Sequence, residues 1–277
     1  MPARTEPRAR FGRSGAPNIG RPWQHPSTVL ITGATGGIGS ALAHSYAQPG
    51  RTLILHGRDA ARVASLSRAC EVRGAKVHGV ILDLRDAEAT MAALRSLSSQ
   101  YVIDLAIVNA GVSSAMGEGL EVESWDAMRT VLAVNIDGAI ATVASVLPEM
   151  QRRGAGQIAV VSSLAAYFGL PVTPVYCASK AALKAYGEAM RGWLAPQGIA
   201  VNVVLPGFVR TFMGDASPGP KPWRMSPDRA ATLIRRGLEH NRARIAFPRM
   251  LAWGMWCLSL LPAAVSQRLV CAMGYGP

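Results

Sequence analysis

Cysteine is scarce: four in 277 residues, Cys70, Cys177, Cys257 and Cys271, with no paired spacing. That excludes a disulfide framework or a zinc knuckle, leaves no metal site expected, and points to a reducing, cytoplasmic setting. Carboxylates are few as well, 17 Asp and Glu against 29 Lys and Arg, for a formal net charge of +12. The excess is almost all arginine. It is scattered along the chain and not interleaved with aromatics, so nucleic acid is not an expected partner; a phosphate-rich cofactor accounts for part of it. With 17% charged and 49% hydrophobic residues, a mostly disordered chain is excluded. Residues 1–27 hold Arg4, Arg8, Arg10, Arg13 and Arg21 among prolines and glycines. They lack the apolar stretch of a secretory signal and read as a mobile basic leader.

What is present suits one α/β domain over residues 28–249 with an apolar tail from 250 to 277. Short apolar runs at 29–32, 53–56, 77–83, 105–109, 158–162, 201–205 and 245–247 suit strands buried on both faces. Helical stretches near 37–47, 59–73, 86–99, 124–150, 175–195 and 226–240 lie between them. This alternation predicts a Rossmann-type, doubly wound parallel sheet of about seven strands with helices on both faces. Ligands bind such sheets at the carboxyl ends of the strands.

After the first run comes Thr32-Gly33-Ala34-Thr35-Gly36-Gly37-Ile38-Gly39. Glycines there allow a tight turn and the close approach of a pyrophosphate, which then meets helix N–H groups. The turn fits Thr-Gly-x-x-x-Gly-x-Gly and Thr-Gly-x-x-Gly-x-x-Gly equally and does not choose between them. The second run ends His56-Gly57-Arg58. A guanidinium at this point suits a 2′-phosphate, while a carboxylate would repel one. Arg58 therefore favours NADP(H), with NAD(H) as the alternative. Asp59, one residue on, reads as a helix cap.

Tyr176-Cys177-Ala178-Ser179-Lys180 puts Tyr176 and Lys180 on one helical face. An ammonium there is expected to lower the tyrosine pKa towards working pH, as an acid/base requires. Ser163 lies thirteen residues before Tyr176, and Asn135 twenty-eight before Ser163. Pro206-Gly207 follows the sixth run, with Thr211 close behind.

Taken together, these residues resemble the shorter branch of the short-chain dehydrogenase/reductase family, from about residue 28 to 247. The resemblance implies Tyr176 as general acid/base, Lys180 tuning it and holding the nicotinamide ribose, Ser163 bonding the reacting oxygen, and Asn135 ordering a relay water. It implies cofactor contacts from Thr32, Gly33, Thr35, Gly37, Ile38 and Gly39 at the first turn, and from Asp83 and Leu84 after the third strand. Asn109, Ala110 and Gly111 would lie beside the adenosine, and Pro206, Gly207, Val209 and Thr211 near the nicotinamide. Ser162 misses the serine spacing by one and reads as structural. The implied activity is NADP(H)-dependent interconversion of a carbonyl and a secondary alcohol, in a homodimer or homotetramer. A catalytically silent cofactor-binding protein and a sugar-nucleotide-modifying enzyme of polysaccharide synthesis are the alternatives.

Residues 164–175 and 212–227 are expected to line the substrate side, the second as a mobile lid. The tail run 250–261 is almost wholly apolar yet shorter than the ~20 residues of a membrane span. It is expected to pack at a subunit interface or over the pocket, with a membrane surface as the less favoured partner. Helical spacing puts Trp253, Trp256 and Leu260 along one stripe, ready to dock on the same subunit or a neighbour.

Overall fold

The computed structural model describes residues 25–116, 122–216 and 219–276. Most of the expected leader, residues 1–24, lies outside the described residues. Seven strands form one parallel sheet in the order β3-β2-β1-β4-β5-β6-β7. They are β1 (Thr28–Ile31), β2 (Thr52–Gly57), β3 (Lys76–Ile81), β4 (Leu105–Val108), β5 (Gly156–Val161), β6 (Ile199–Pro206) and β7 (Arg244–Phe247). The order reverses between β1 and β4, where a parallel sheet leaves a crevice at its carboxyl edge.

Alternate residues of each strand feed opposite cores, which is why the strands read as unbroken apolar runs. Val29, Ile31, Leu53, Leu55, Leu105 and Ile107 meet α1 (Gly37–Tyr46), α2 (Ala60–Glu71) and α8 (Pro227–Glu239). Leu30, Ile54, Ala106, Val108, Ile158 and Val160 meet α3 (Ala87–Gln100), α5 (Gly138–Arg153) and α6 (Pro174–Leu194). Asp59 does cap α2, accepting from Arg62 N–H at 3.0 Å.

Two elements differ from the sequence reading. The stretch expected as one helix at 124–150 is α4 (Trp125–Leu132) and α5 joined by a π-turn, Ala133–Asp137. The extra residue of a π-turn is invisible to a 3.6-residue pattern. The tail is a helical pair: α9 (Arg249–Leu260) and α10 (Ala263–Val270), then a turn at Cys271–Tyr275. The remaining short helix, α7 (Phe212–Ala216), opens the expected lid. Met255, Leu258, Val270 and Tyr275 bury themselves against Leu164, Val203 and Leu205, so the tail covers the end of β6 on its own subunit.

Candidate active site

The glycine turn is held from three sides. Gly33 has φ +62°, and a Cβ there would lie 2.7 Å from Ala110 Cα, so only glycine fits. Buried Thr32 accepts at Oγ1 from the N–H groups of Asn109 (3.0 Å) and Ala110 (3.2 Å). Asn109 donates in return to the carbonyls of Thr32 and Gly33. His56, buried beneath the turn, accepts from Gly33 N–H.

Helix α1 then starts with no side-chain cap and no acid in its first turn. Its unshielded N–H dipoles form an anion site. A Cβ on Gly37 would strike Thr211 Cγ2 at 2.3 Å, so backbone there comes close to the 206–211 loop. Beside the turn stand Arg58 and Arg62, the latter tied to the Thr35 carbonyl at 2.7 Å. Position 57 is glycine, and a Cβ would already press on Val63 and Thr35. These residues fit a phosphate-bearing dinucleotide: backbone donors with no acid in the helix's first turn or at position 57, flanked by two guanidiniums. Asp83 sits at the same end, its carboxyl held below the usual range by the hydrogen bond from Arg85.

The second half of the site comes from three elements. The π-turn aims Asn135 at the β4–α4 loop, where its side chain brackets one residue: Oδ1 accepts from Val112 N–H (2.8 Å) and Nδ2 donates to Val112 carbonyl (2.9 Å). Nδ2 also reaches Ser179 Oγ at 2.9 Å. Lys180, one turn beyond Tyr176 on α6, donates from Nζ to the Val161 carbonyl at 3.1 Å. Ser162 Oγ donates to Lys180 carbonyl at 2.6 Å, a structural bond. Ser163, at the end of β5, accepts from Ala165 N–H at 3.1 Å.

The expected electrostatics need correction. Tyr176 keeps an edge open to the cleft, yet loss of water to the protein packed around it pushes its phenol up to about 12, against the downward pull of the Ser163 hydroxyl. Lys180 does not offset this. Its ammonium lies 5.7 Å from the tyrosine ring centre, donates one hydrogen bond to a backbone carbonyl, and is itself pushed down to about 8 by burial. Helical spacing places the two groups together; it does not report how much water either has lost.

A single cleft of about 1440 Å³ connects the two halves. Every sequence-predicted site residue lines it except Thr32 and Asn135, which are wholly buried beneath it as supports. The sequence reading missed His56 and Arg62, which also line it; the tail, expected at a subunit interface or over the pocket, adds Leu251, Met255, Met273 and Tyr275 to the lining. Arg62 had a signal, since it falls one helical turn after Arg58; the tail's signal was its apolar run, which did not say which of its residues turn inward. The predicted tail stripe does not dock on its own subunit: Trp253, Trp256 and Leu260 are exposed, and Met255 and Leu258 dock there instead.

The family model described as short chain dehydrogenase matches residues 27–220. An uncharacterized oxidoreductase of Myxococcus xanthus is 33% identical over 236 residues, 85% of this chain and 92% of that protein. Dehydrogenase/reductase SDR family member 7B of Xenopus laevis is 34% identical over 207 residues, 72% of this chain and 61% of that one. Among solved structures, a short-chain dehydrogenase from Sphingobium yanoikuyae in complex with NADPH is similar with a TM-score of 0.75 at 25% identity, covering 88% of this chain and 95% of that one. A short chain dehydrogenase/reductase from Burkholderia phymatum in complex with NAD has a TM-score of 0.74 at 22% identity, covering 83% and 91%, and shares the fold.

Proposed function

The chain belongs to the short-chain dehydrogenase family, an oxidoreductase with a nicotinamide cofactor, and we propose that it is an NADP(H)-dependent enzyme interconverting a carbonyl and a secondary alcohol. The observation that carries this reading is one cleft wall holding Ser163, Tyr176 and Lys180 together with an uncapped glycine turn.

When bound, the cofactor supplies or accepts the hydride. The chain's own residues handle the proton and the geometry. A phenol near 12 keeps its proton at neutral pH, so Tyr176 donates it to the carbonyl oxygen in reduction. The Ser163 hydroxyl bonds that same oxygen. Lys180, clamped by Val161 and Ser162, keeps a positive charge under the reacting end. Asn135 fixes Val112 and so the floor between the two halves. Arg58 and Arg62, with no carboxylate at position 57, support NADP(H) over NAD(H).

Cytoplasmic work as a homodimer or homotetramer completes the reading. All four cysteines are unpaired. Trp125 on α4, Ile140 on α5 and Trp193 on α6 are exposed apolar side chains suited to a subunit interface. The test is a panel of ketones and keto-sugars followed by NADPH absorbance, with NADH in parallel. Oxidation of NADPH by at least one member of the panel supports the reading; no oxidation of either cofactor by any of them counts against it and favours the catalytically silent alternative.

A further inference from the structure

Helix α9 has two apolar faces with different fates. At 3.6 residues per turn, Leu251, Met255 and Leu258 fall on one side, and Met250, Trp253, Trp256 and Leu260 on the other. The first side is used: Leu251 and Met255 line the cleft and Leu258 is buried. The second is bare, with Met250 74%, Trp253 69% and Leu260 62% exposed and the two tryptophan rings 6.4 Å apart. Exposed Val265 and Leu269 on α10 add to it. An apolar surface of this extent marks a docking face.

Charge decides what docks. From residue 240 to the end of the chain there is no Asp or Glu. Exposed Arg249 lies on the bare side of α9, and exposed Arg268 on α10. In a two-fold pairing of this face, a second copy of the chain would bring the same arginines with no carboxylate to meet them. An anionic bilayer brings phosphate to the arginines and an interfacial layer suited to tryptophan. The rim of the cleft is apolar and open as well: Phe212, Trp223 and Met273 line the cleft while remaining exposed. Within the cleft, the charged groups among the described residues are Arg58, Arg62 and Asp83 at the glycine-turn end, Lys180 at the reacting end and Lys221 on the lid. Among the described residues no arginine lines the substrate end, and the Lys221 ammonium is bonded to the Asp215 carbonyl.

We infer that the outer face of α9, with α10 and the cleft rim, seats the enzyme on an anionic lipid surface, and that the cleft takes an apolar, uncharged carbonyl compound from it. The seating stands on the surface alone; the substrate class rests on the reductase reading above.

The full chain is to be sedimented with phosphatidylcholine vesicles and with vesicles that also contain phosphatidylglycerol. It pellets with the anionic vesicles, is released as salt is raised, and shows a blue shift of tryptophan emission. The Trp253→Ala/Trp256→Ala variant loses about tenfold in partitioning. Its NADPH-dependent reduction of cyclohexanone in solution is unchanged, while its reduction of a long-chain methyl ketone dissolved in the vesicles falls with the partitioning. No pelleting, equal pelleting with neutral vesicles, or a variant that pellets like the parent overturns the seating. So does a drop in particle mass of the variant by light scattering, which assigns the face to a second copy. Turnover of cyclohexanone with none of the vesicle-borne ketone overturns the substrate class. Turnover of neither overturns the reductase reading and the substrate class with it, and the pelleting result still decides the seating.

Discussion

Gly33 N–H donates to Nδ1 of His56 at 3.2 Å, and the other ring nitrogen, Nε2, lies 3.0 Å from the Leu82 carbonyl. One neutral imidazole, protonated at Nε2, thus ties the cofactor turn after β1 to the end of β3. Burial pushes its pKa below the ordinary value of 6.5. The unfolded chain therefore binds the proton first as pH falls below 6.5. His56 contributes stability that is present above that pH and is lost through the window down to its lowered folded value. Thermal melts from pH 7.5 to 5 are expected to show this loss in the parent and less of it in His56→Ala. At neutral pH the variant is less stable by about 1–3 kcal/mol, because Gly33 N–H and the Leu82 carbonyl lose their partner.

Arg58 supplies a charge beside the turn that the NADPH 2′-phosphate can use and NADH cannot. Arg58→Ala is expected to weaken NADPH binding by about tenfold or more and to leave NADH within about twofold. Fluorescence titration of both cofactors checks it. Equal losses would place Arg58 outside the phosphate contact and leave Arg62 as the candidate.

Burial lowers Lys180 from 10.5 to about 8. Between those values the unfolded chain binds more protons, so stability rises with pH across that window, and the full cost is present below it. Lys180→Met removes the cost at neutral pH. Calorimetry of the cofactor-free protein is expected to show a higher Tm, a gain of up to ~3 kcal/mol less the lost bond to Val161. Turnover falls by about a hundredfold or more. A variant less stable than the parent would mean that the Val161 bond outweighs desolvation.

Tyr176→Phe keeps the ring and removes the proton that the reacting oxygen receives. Ketone reduction is expected to fall by about a hundredfold or more, with NADPH affinity nearly unchanged. Near-parental turnover would take Tyr176 out of the acid/base role.

Asn135→Ala strips both backbone groups of Val112 of their partner. The expected result is a loss of about 1–3 kcal/mol in stability together with a lower kcat. Normal melting with normal kcat would show that the π-turn positions nothing the reaction needs.

Much of this molecule is written in short-range pattern. The apolar runs at 29–32 and 105–109 are buried strands because alternate residues must face two cores, and that alternation is local. The glycine turn, the Asp59 cap and the pairing of Tyr176 with Lys180 are likewise set by spacing along the chain. So the parallel sheet, its family and most of the polar residues gathered around the cleft were legible in the sequence, while His56 and Arg62 were not singled out.

What the tertiary structure alone decided concerns enclosure and direction. Nothing within eight residues of Tyr176 states that its phenol is pushed up to about 12 or that Lys180 donates to the Val161 carbonyl. Those depend on how much water distant segments remove. The same is true of His56 reaching from β2 to Gly33, and of Asn135 reaching Val112 across 23 residues. The tail makes the contrast sharpest. Its apolar spacing predicts a helix with a tryptophan stripe, and the helix is there. Yet α9 is apolar on both sides, so the pattern carries no moment to tell inside from outside. Only the shape of the surface at the end of β6 settled that Leu251 and Met255 turn inward while Trp253 and Trp256 face out.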